Sequence, residues 1–526
     1  MTSPPNSPSL TPFAPPYAPV PLPSLPPPPP TPPGAVARLR PEPPSAAAPG
    51  RLLAAAGLAG LLAATVLADV RPGVGVPLVA LAVAVAVALG GATVGGPVAG
   101  NAGTGARRLL LAVCLILTAV AAVRDSAWLV WLCLLAAVVL APVAVTGARG
   151  WAATAVAPLL GAVAFGSAVG WARRGLPRSR PTVASRAWLR GLAVGAVAAV
   201  VVGALLASAD SAFADLLTTL SPSFDAGTLP ARAVLLALVA LSVLGGVVLR
   251  AHRPDWAQLH RPTRAGVTAP PAAEWALPLA LVDLVLAAFV VLQGDLLGAA
   301  PATPDGALAD RARQGFGQLV AVTLLTTALL VWCVRRASPR RSRHRLAVAV
   351  LGGGMVALTL AVVASALGRL WRYEQAYGWT VLRLLVGLGE LWLGAVLLLV
   401  AVLWTARRLH LVAPLVVGSA AVCLAAVALA GPDALVARAN VDRFADTGRV
   451  DVRYLQRLSA DAVPELDRLR EPLRSCVLDA WAGPRAADAD AWSGTNLARV
   501  RARQVLAERP PTPLPSGCGV AYVNRG

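Results

Sequence analysis

The sequence predicts an all-α protein, a polytopic transmembrane helix bundle of about twelve spans followed by a small helical C-terminal domain. Three observations lead there. Hydrophobic residues make up 57% of the 526 and charged residues only 14%, against roughly 25% charged in an ordinary globular domain. From residue 51 to about residue 430, apolar runs alternate with short loops that carry arginine. Lipid offers no partner to a bare N–H or C=O, so runs of this length must be helical where they cross.

The elements follow in chain order. Residues 1–50 hold 20 of the 46 prolines and almost no charge, a composition that gives a disordered or polyproline II tail and no packed core. The first apolar run starts near residue 52, too far in for a secretory signal peptide. A crossing helix needs roughly 20 apolar residues. Twelve segments qualify, at 52–68, 76–95, 108–123, 127–146, 151–171, 188–208, 232–250, 275–293, 316–334, 346–367, 379–404 and 409–430. Between the sixth and seventh, Phe213, Leu216, Leu217 and Leu220 repeat at helical spacing behind Asp210, which reads as an amphipathic helix on the membrane surface. Residues 309–319, with Asp310 and Arg313, read as a second surface helix leading into the ninth span.

Charge gives the orientation. The net charge is +20, and no lysine occurs, so all 46 basic residues are arginine. With a single isoleucine, Ile116, this usage points to a G+C-rich bacterial genome. The arginines crowd the loops at 171–190, 250–264, 335–345 and 404–409 and thin out in the loops between. By the positive-inside bias the crowded loops are cytoplasmic, and the chain after residue 430 is outside. The first half fits less neatly. Five spans before residue 171 put the N-terminus outside, yet Arg38, Arg40, Arg51, Arg107 and Arg108 favour the inside. Either one early span does not cross, or the tail is exported; the expectation is twelve spans with both ends outside. The arginines sit between apolar spans with no nucleic-acid module, which excludes nucleic acid as the partner and leaves the lipid bilayer of the plasma membrane.

Residues 431–526 hold 14 arginines and 12 acids and form nearly neutral, more polar material. Asp451 and Ser459 are placed to cap short helices, and a third helix is expected within 492–508. Cys476 and Cys518 fall here; if this domain is exported, they share an oxidising compartment and can form a disulfide. Cys114, Cys133, Cys333 and Cys423 lie in apolar spans as small packing residues. The cysteines and four histidines show no zinc spacing, and no phosphate loop or nucleophile elbow is present, so neither metal nor cofactor is expected.

The residues that could carry function are those that break the lipid-facing pattern. Asp283 and Glu390 lie in mid-span, where an ionisable group is costly and a functional suspect. Each is read either as part of a proton or ion site or as an acid satisfied by a neighbouring helix. The segment 369–383 is the densest polar and aromatic cluster, with Arg372, Tyr373, Glu374, Tyr377 and Arg383. An aromatic belt explains part of it. Arg383, four residues into its span, must snorkel or pair with Glu374 or Glu390, the latter two turns away on the same face.

Four blocks, at 208–214, 312–319, 373–383 and 440–464, resemble the recurring segments of the bacterial membrane proteins called domain-of-unknown-function family 4173, which is similar to the 4153 family. The chain departs from that family's pattern at Leu308, Arg311 and Trp379, where tyrosines and a leucine are usual. The resemblance implies a polytopic membrane protein with a polar helical C-terminal part and no assigned reaction. Three readings stay open. One is transport or membrane sensing, with the C-terminal domain meeting a protein partner. One is an enzyme acting on a lipid-linked or phosphate-bearing substrate held by Arg372 and Arg383. One is a structural or assembly protein.

Overall fold

The computed structural model describes residues 39–94, 104–176, 228–252, 271–298, 305–336, 342–482 and 490–512, except residue 69, with scattered positions at 191–206 and at 254 and 256. The proline-rich tail up to residue 38, most of the sixth predicted span, the amphipathic helix at 208–220 and Cys518 lie outside them. Among the described residues the protein is helical throughout, with no strand.

Eleven helices match eleven of the twelve predicted spans. They are α1 (Gly50–Val66), α2 (Gly75–Val94), α3 (Thr104–Val123), α4 (Ala127–Thr146), α5 (Trp151–Gly175), α6 (Leu229–Ala251), α7 (Ala272–Gly298), α8 (Asp305–Arg336), α9 (Ser342–Tyr377), α10 (Val381–Thr405) and α11 (Val412–Ala430). Nine of these are long and apolar enough to cross a membrane, and α1 and the apolar part of α8 are shorter. In the nine long helices only 17–39% of the apolar stretch is buried inside the protein. The remainder exposes side chains such as Leu89, Leu135, Val138, Leu284 and Val285, as a lipid-facing surface requires. The segment at 309–319 is not a separate surface helix: α8 begins at Asp305 and runs through it without a break.

Among the described residues, three larger cores hold the bundle. α1, α2 and α5 pack around α6 through Leu52, Ala56, Leu160, Trp171, Val243 and Val247. Gly60 brings α1 so close to α6 that a Cβ there would sit 2.5 Å from the Leu236 carbonyl, the small-residue contact expected of helices in lipid. α3 and α4 pack with α11. α7, α8, α9 and α10 form the second half around Leu279, Leu330, Met355 and Leu397. α11 touches α3, α4, α5 and α10 and so joins the halves.

Among the described residues five short helices follow: α12 (Pro432–Thr447), α13 (Val452–Leu455), α14 (Val463–Leu466), α15 (Leu473–Ala482) and α16 (Leu497–Glu508). Pro432 opens α12, and Gly448, at φ 66°, closes it. The predicted cap at Asp451 is present, its carboxylate accepting the Tyr454 N–H at 3.0 Å. Ser459 stands at a helix start but does not cap it; its hydroxyl bonds to Ser126 and to Asp461. These helices share one core, with Leu455, Val463, Leu466, Cys476 and Val477 fully or nearly fully buried. Val381 of α10 packs onto that core. The C-terminal helices therefore sit on one end of the bundle, the capped face. The turns α1–α2, α3–α4 and α9–α10 meet them there. The turns α4–α5 and α10–α11 lie at the other end, with Arg407 and Arg408.

Candidate functional site

The residues singled out from the sequence do not form one site. They separate into a cluster at the capped face and two isolated acids within the second half.

The cluster sits where α9 turns into α10. No glycine or proline interrupts 369–377, so α9 extends through it to Tyr377, ten residues past the predicted end of the span. Gly378 then takes φ 83°, a conformation suited to glycine, and its N–H closes on the Glu374 carbonyl at 2.9 Å. Thr380 caps α10 by accepting the Arg383 N–H. The Arg383 guanidinium folds back, donates to the Gly378 carbonyl at 2.5 Å and lies 4.4 Å over the Tyr373 ring. Tyr373 in turn meets Tyr377 at 4.7 Å between ring centroids. Arg372 donates along its own helix to Gly368. Glu374 is 3% exposed, and its Oε1 has no hydrogen-bond partner.

Glu390 is 1% exposed, and neither of its carboxylate oxygens has a partner. It lies between Gly387 and Gly394, which face Leu370 and the pair Leu360 and Val363 across the α9–α10 contact. Arg383 does not reach it, because its fork is taken up by the turn. Asp283 belongs to another contact: its Oδ2 lies 3.3 Å from where a Cβ of Gly354 would stand, while Oδ1 is unpartnered. Glu390 is level with 363–370 on α9, so the two acids stand roughly 14–24 Å apart along that helix. Among the described residues no three His, Cys, Asp or Glu side chains converge to hold a metal ion.

A second polar constellation went unseen in the sequence. It lies between the α3–α4 turn and the C-terminal helices. Arg124 bonds to Asp461 at 3.2 Å and to the last carbonyls of α11, Ala428 and Leu429. The Asp125 N–H donates to Asp461 at 2.8 Å, and the Ser126 hydroxyl donates to Asp433 at 2.6 Å. Burial pushes the Asp461 carboxyl up, and the hydrogen bonds from Asp125 and Arg124 work against that rise. Arg499 fills the gap beside it. It pairs with Asp125 at 2.6 Å and Asp490 at 3.0 Å and also donates to the Pro72 and Gly494 carbonyls. Asn496 donates to the Ala121 and Arg124 carbonyls, while its oxygen caps α16. The signal for this site was Arg124 beside Asp125, a base and an acid in the short turn between two predicted spans.

The same helices hold the α9–α10 turn. Asn440 brackets Trp379, accepting its N–H at 3.1 Å and donating to its C=O at 2.9 Å. Arg443 donates to the Gln375 and Ala376 carbonyls at the end of α9, which have no partner within the helix. The Tyr454 hydroxyl accepts the Val381 N–H at 2.7 Å. Burial pushes that hydroxyl's pKa up, with the Val381 bond opposing it.

Apolar spans, lipid-facing surfaces and a polar helical unit locked onto one end define a multi-pass integral membrane protein. The chain belongs to the family described as domain of unknown function (DUF4153), whose model matches residues 111–469. The sequence blocks had pointed to the related 4173 family; the matching family is 4153, and it carries no assigned activity. No curated protein and no solved structure matches the chain.

Proposed function

We propose that this is a bacterial plasma-membrane protein of transport or membrane sensing, in which Glu390 is the working group. It has three parts: the tail 1–50, the bundle 51–430 and an extracytoplasmic domain 431–526 in which Cys476 and Cys518 pair. One observation carries the functional reading. Glu390 is buried in a membrane helix with both oxygens unpartnered. An unpaired carboxylate in such a place costs several kcal/mol, so it needs a proton, a cation or a partner group. Groups of this kind mark proton relays and ion paths. The reading of a phosphate-binding enzyme loses support, because the Arg383 fork is already bonded to Gly378 and stacked on Tyr373.

The structural or assembly reading draws on a different observation: Arg383, Glu390 and Asp283 face separate neighbours. Carbodiimide labelling separates the two. Dicyclohexylcarbodiimide attacks carboxyl groups that exchange protons in apolar surroundings. Transport or sensing requires an adduct on Glu390 in the folded, liposome-embedded protein and none in Glu390→Gln. Adducts on exposed acids with Glu390 unmodified overturn the reading in favour of a structural role. For the disulfide, non-reducing peptide mapping must find Cys476 joined to Cys518; free thiols at both refute it.

A further inference from the structure

We infer that α5 does not cross the membrane but lies along a single leaflet, its partner the lipid of that leaflet. Its 25 residues would measure about 37 Å, enough to span a core of roughly 30 Å if upright. Both of its ends nonetheless meet the same end of the bundle. At its start, Trp151 lies beside Leu409 and Val412 of the α10–α11 turn. Ala153 and Ala157 pack with Val143 and Ala148, around the end of α4, and with Trp256, which follows α6. Trp256 also donates to the Thr146 carbonyl. Farther along, the backbone of Phe165 lies 3.1 Å from where a Cβ of Gly245 would stand, in the last turns of α6. At the far end, Trp171 donates to the Ala46 carbonyl at 2.9 Å, and Gly175 abuts Ala48, just before α1 begins.

The end of α4, the end of α6, the α10–α11 turn and the start of α1 all lie opposite the capped face. α1 runs from there towards Gly73, which meets Gly494 and Thr495 of the C-terminal helices. α4 runs back from the Arg124–Ser126 turn that those helices hold. An upright α5 would carry Trp171 and Gly175 to the capped face, a full membrane thickness from Ala46 and Ala48. Its outward side is apolar and small, with Ala152, Ala155, Gly166, Leu159 at 63% exposure and Val163 at 38%. That side suits acyl chains and not water. Arg173 and Arg174, both exposed at its end, suit anionic headgroups. An in-plane α5 also removes the conflict in the first half of the sequence. It takes one crossing from the twelve and sets the chain entering α1, with Arg51, on the same side as Arg173, Arg174, Arg407 and Arg408, opposite the C-terminal helices.

The test uses the full-length protein in membrane vesicles of both orientations and a membrane-impermeant maleimide, with the unsubstituted protein as background. Cysteines at Ala47→Cys, Arg149→Cys and Leu176→Cys are expected to be labelled from one and the same side, and Asp446→Cys in α12 from the other. Labelling of Arg149→Cys and Leu176→Cys from opposite sides overturns the inference. Should either fail to insert, nitroxides at Ala152, Ala155, Leu159 and Gly166 report depth independently. A near-constant oxygen-to-nickel accessibility ratio along α5 supports it, and a maximum at mid-helix refutes it.

Discussion

Arg499 offers the sharpest test of how the C-terminal helices are held. Its side chain is 8% exposed and pairs with Asp125, 19% exposed, and Asp490, 7% exposed. Methionine at 499 keeps the packing volume and removes the charge, leaving both acids without this partner. Stripping one member from a buried ion pair costs about 3–5 kcal/mol. Asp490 keeps Arg503 at 3.1 Å, and Asp125 retains some contact with water, so the expected loss falls to about 2–4 kcal/mol. The loss is local, at the junction of the α3–α4 turn and α16. Amide hydrogen exchange in lipid nanodiscs reads it as the opening free energy of the amides from Ala498 to Ala502. Arg499→Met is expected to speed exchange there by more than an order of magnitude, while amides in α10 stay unchanged. Asp125→Asn combined with Arg499→Met should be less harmful than the two separate losses added together, because the orphaned charge is gone. A shift within about 0.5 kcal/mol, typical of surface substitutions, would refute the reasoning, as would full additivity of the pair.

Other expectations follow from single contacts. Asn440→Ala removes both bonds to Trp379 and leaves partly buried backbone groups unsatisfied, so about 1–3 kcal/mol of local stability should be lost. Accelerated exchange of the Trp379 amide checks it. Gly378→Ala forces a Cβ into a left-handed backbone and to within 2.8 Å of the Asn440 side-chain Oδ1; it should cost at least about 1 kcal/mol, seen as a lower midpoint of thermal unfolding in detergent. Glu471 differs in being titratable. Burial acts to raise its carboxyl, but the hydrogen bonds from Ser475 and Arg474 outweigh it and hold the group below the usual range. A depressed folded value means the contribution is present above the unfolded value of about 4.3 and is lost as pH falls through the folded one. Melting midpoints followed from pH 6 downwards should fall below that value, and Glu471→Gln should flatten the slope. An unchanged slope would count against the Glu471 assignment.

The spans were legible because lipid imposes one rule on every residue of a crossing helix, and eleven segments obey it, although α8 begins eleven residues before its predicted span and α9 ends ten residues after. The Asp451 cap was legible for a similar reason, since it depends only on neighbours in sequence. Part of what escaped detection depends on partners hundreds of positions away. Ser459 has the right residue type for a cap, yet its hydroxyl is claimed by Ser126, more than 300 residues earlier. Arg383 and Glu390 share a helix face, but backbone geometry decided the outcome: the left-handed Gly378 turns its carbonyl towards Arg383 before the acid can be reached. The in-plane course inferred for α5 was not legible, because composition reports solubility in lipid and not direction through it. A helix in one leaflet and a helix across two can carry the same residues.

The two turns gripped by the C-terminal helices are held by different chemistry, and the difference bears on where the protein can move. The α3–α4 turn is fixed by paired charges that are largely but not fully buried, Arg124 with Asp461 and Arg499 with Asp125. Opening it would break several charge-assisted bonds at once, each stronger than a neutral one. The α9–α10 turn is fixed mainly by neutral bonds to backbone, from Asn440 and to the Tyr454 hydroxyl, with Arg443 bridging to the α9 carbonyls. Bonds of that kind contribute about 1 kcal/mol each, somewhat more for the charged donor, and can exchange one at a time with water. The unpaired Glu390 lies on the helix that this second turn begins. A change in what Glu390 binds would therefore reach the C-terminal helices through the looser of their two attachments, while the tighter one keeps them anchored to the bundle.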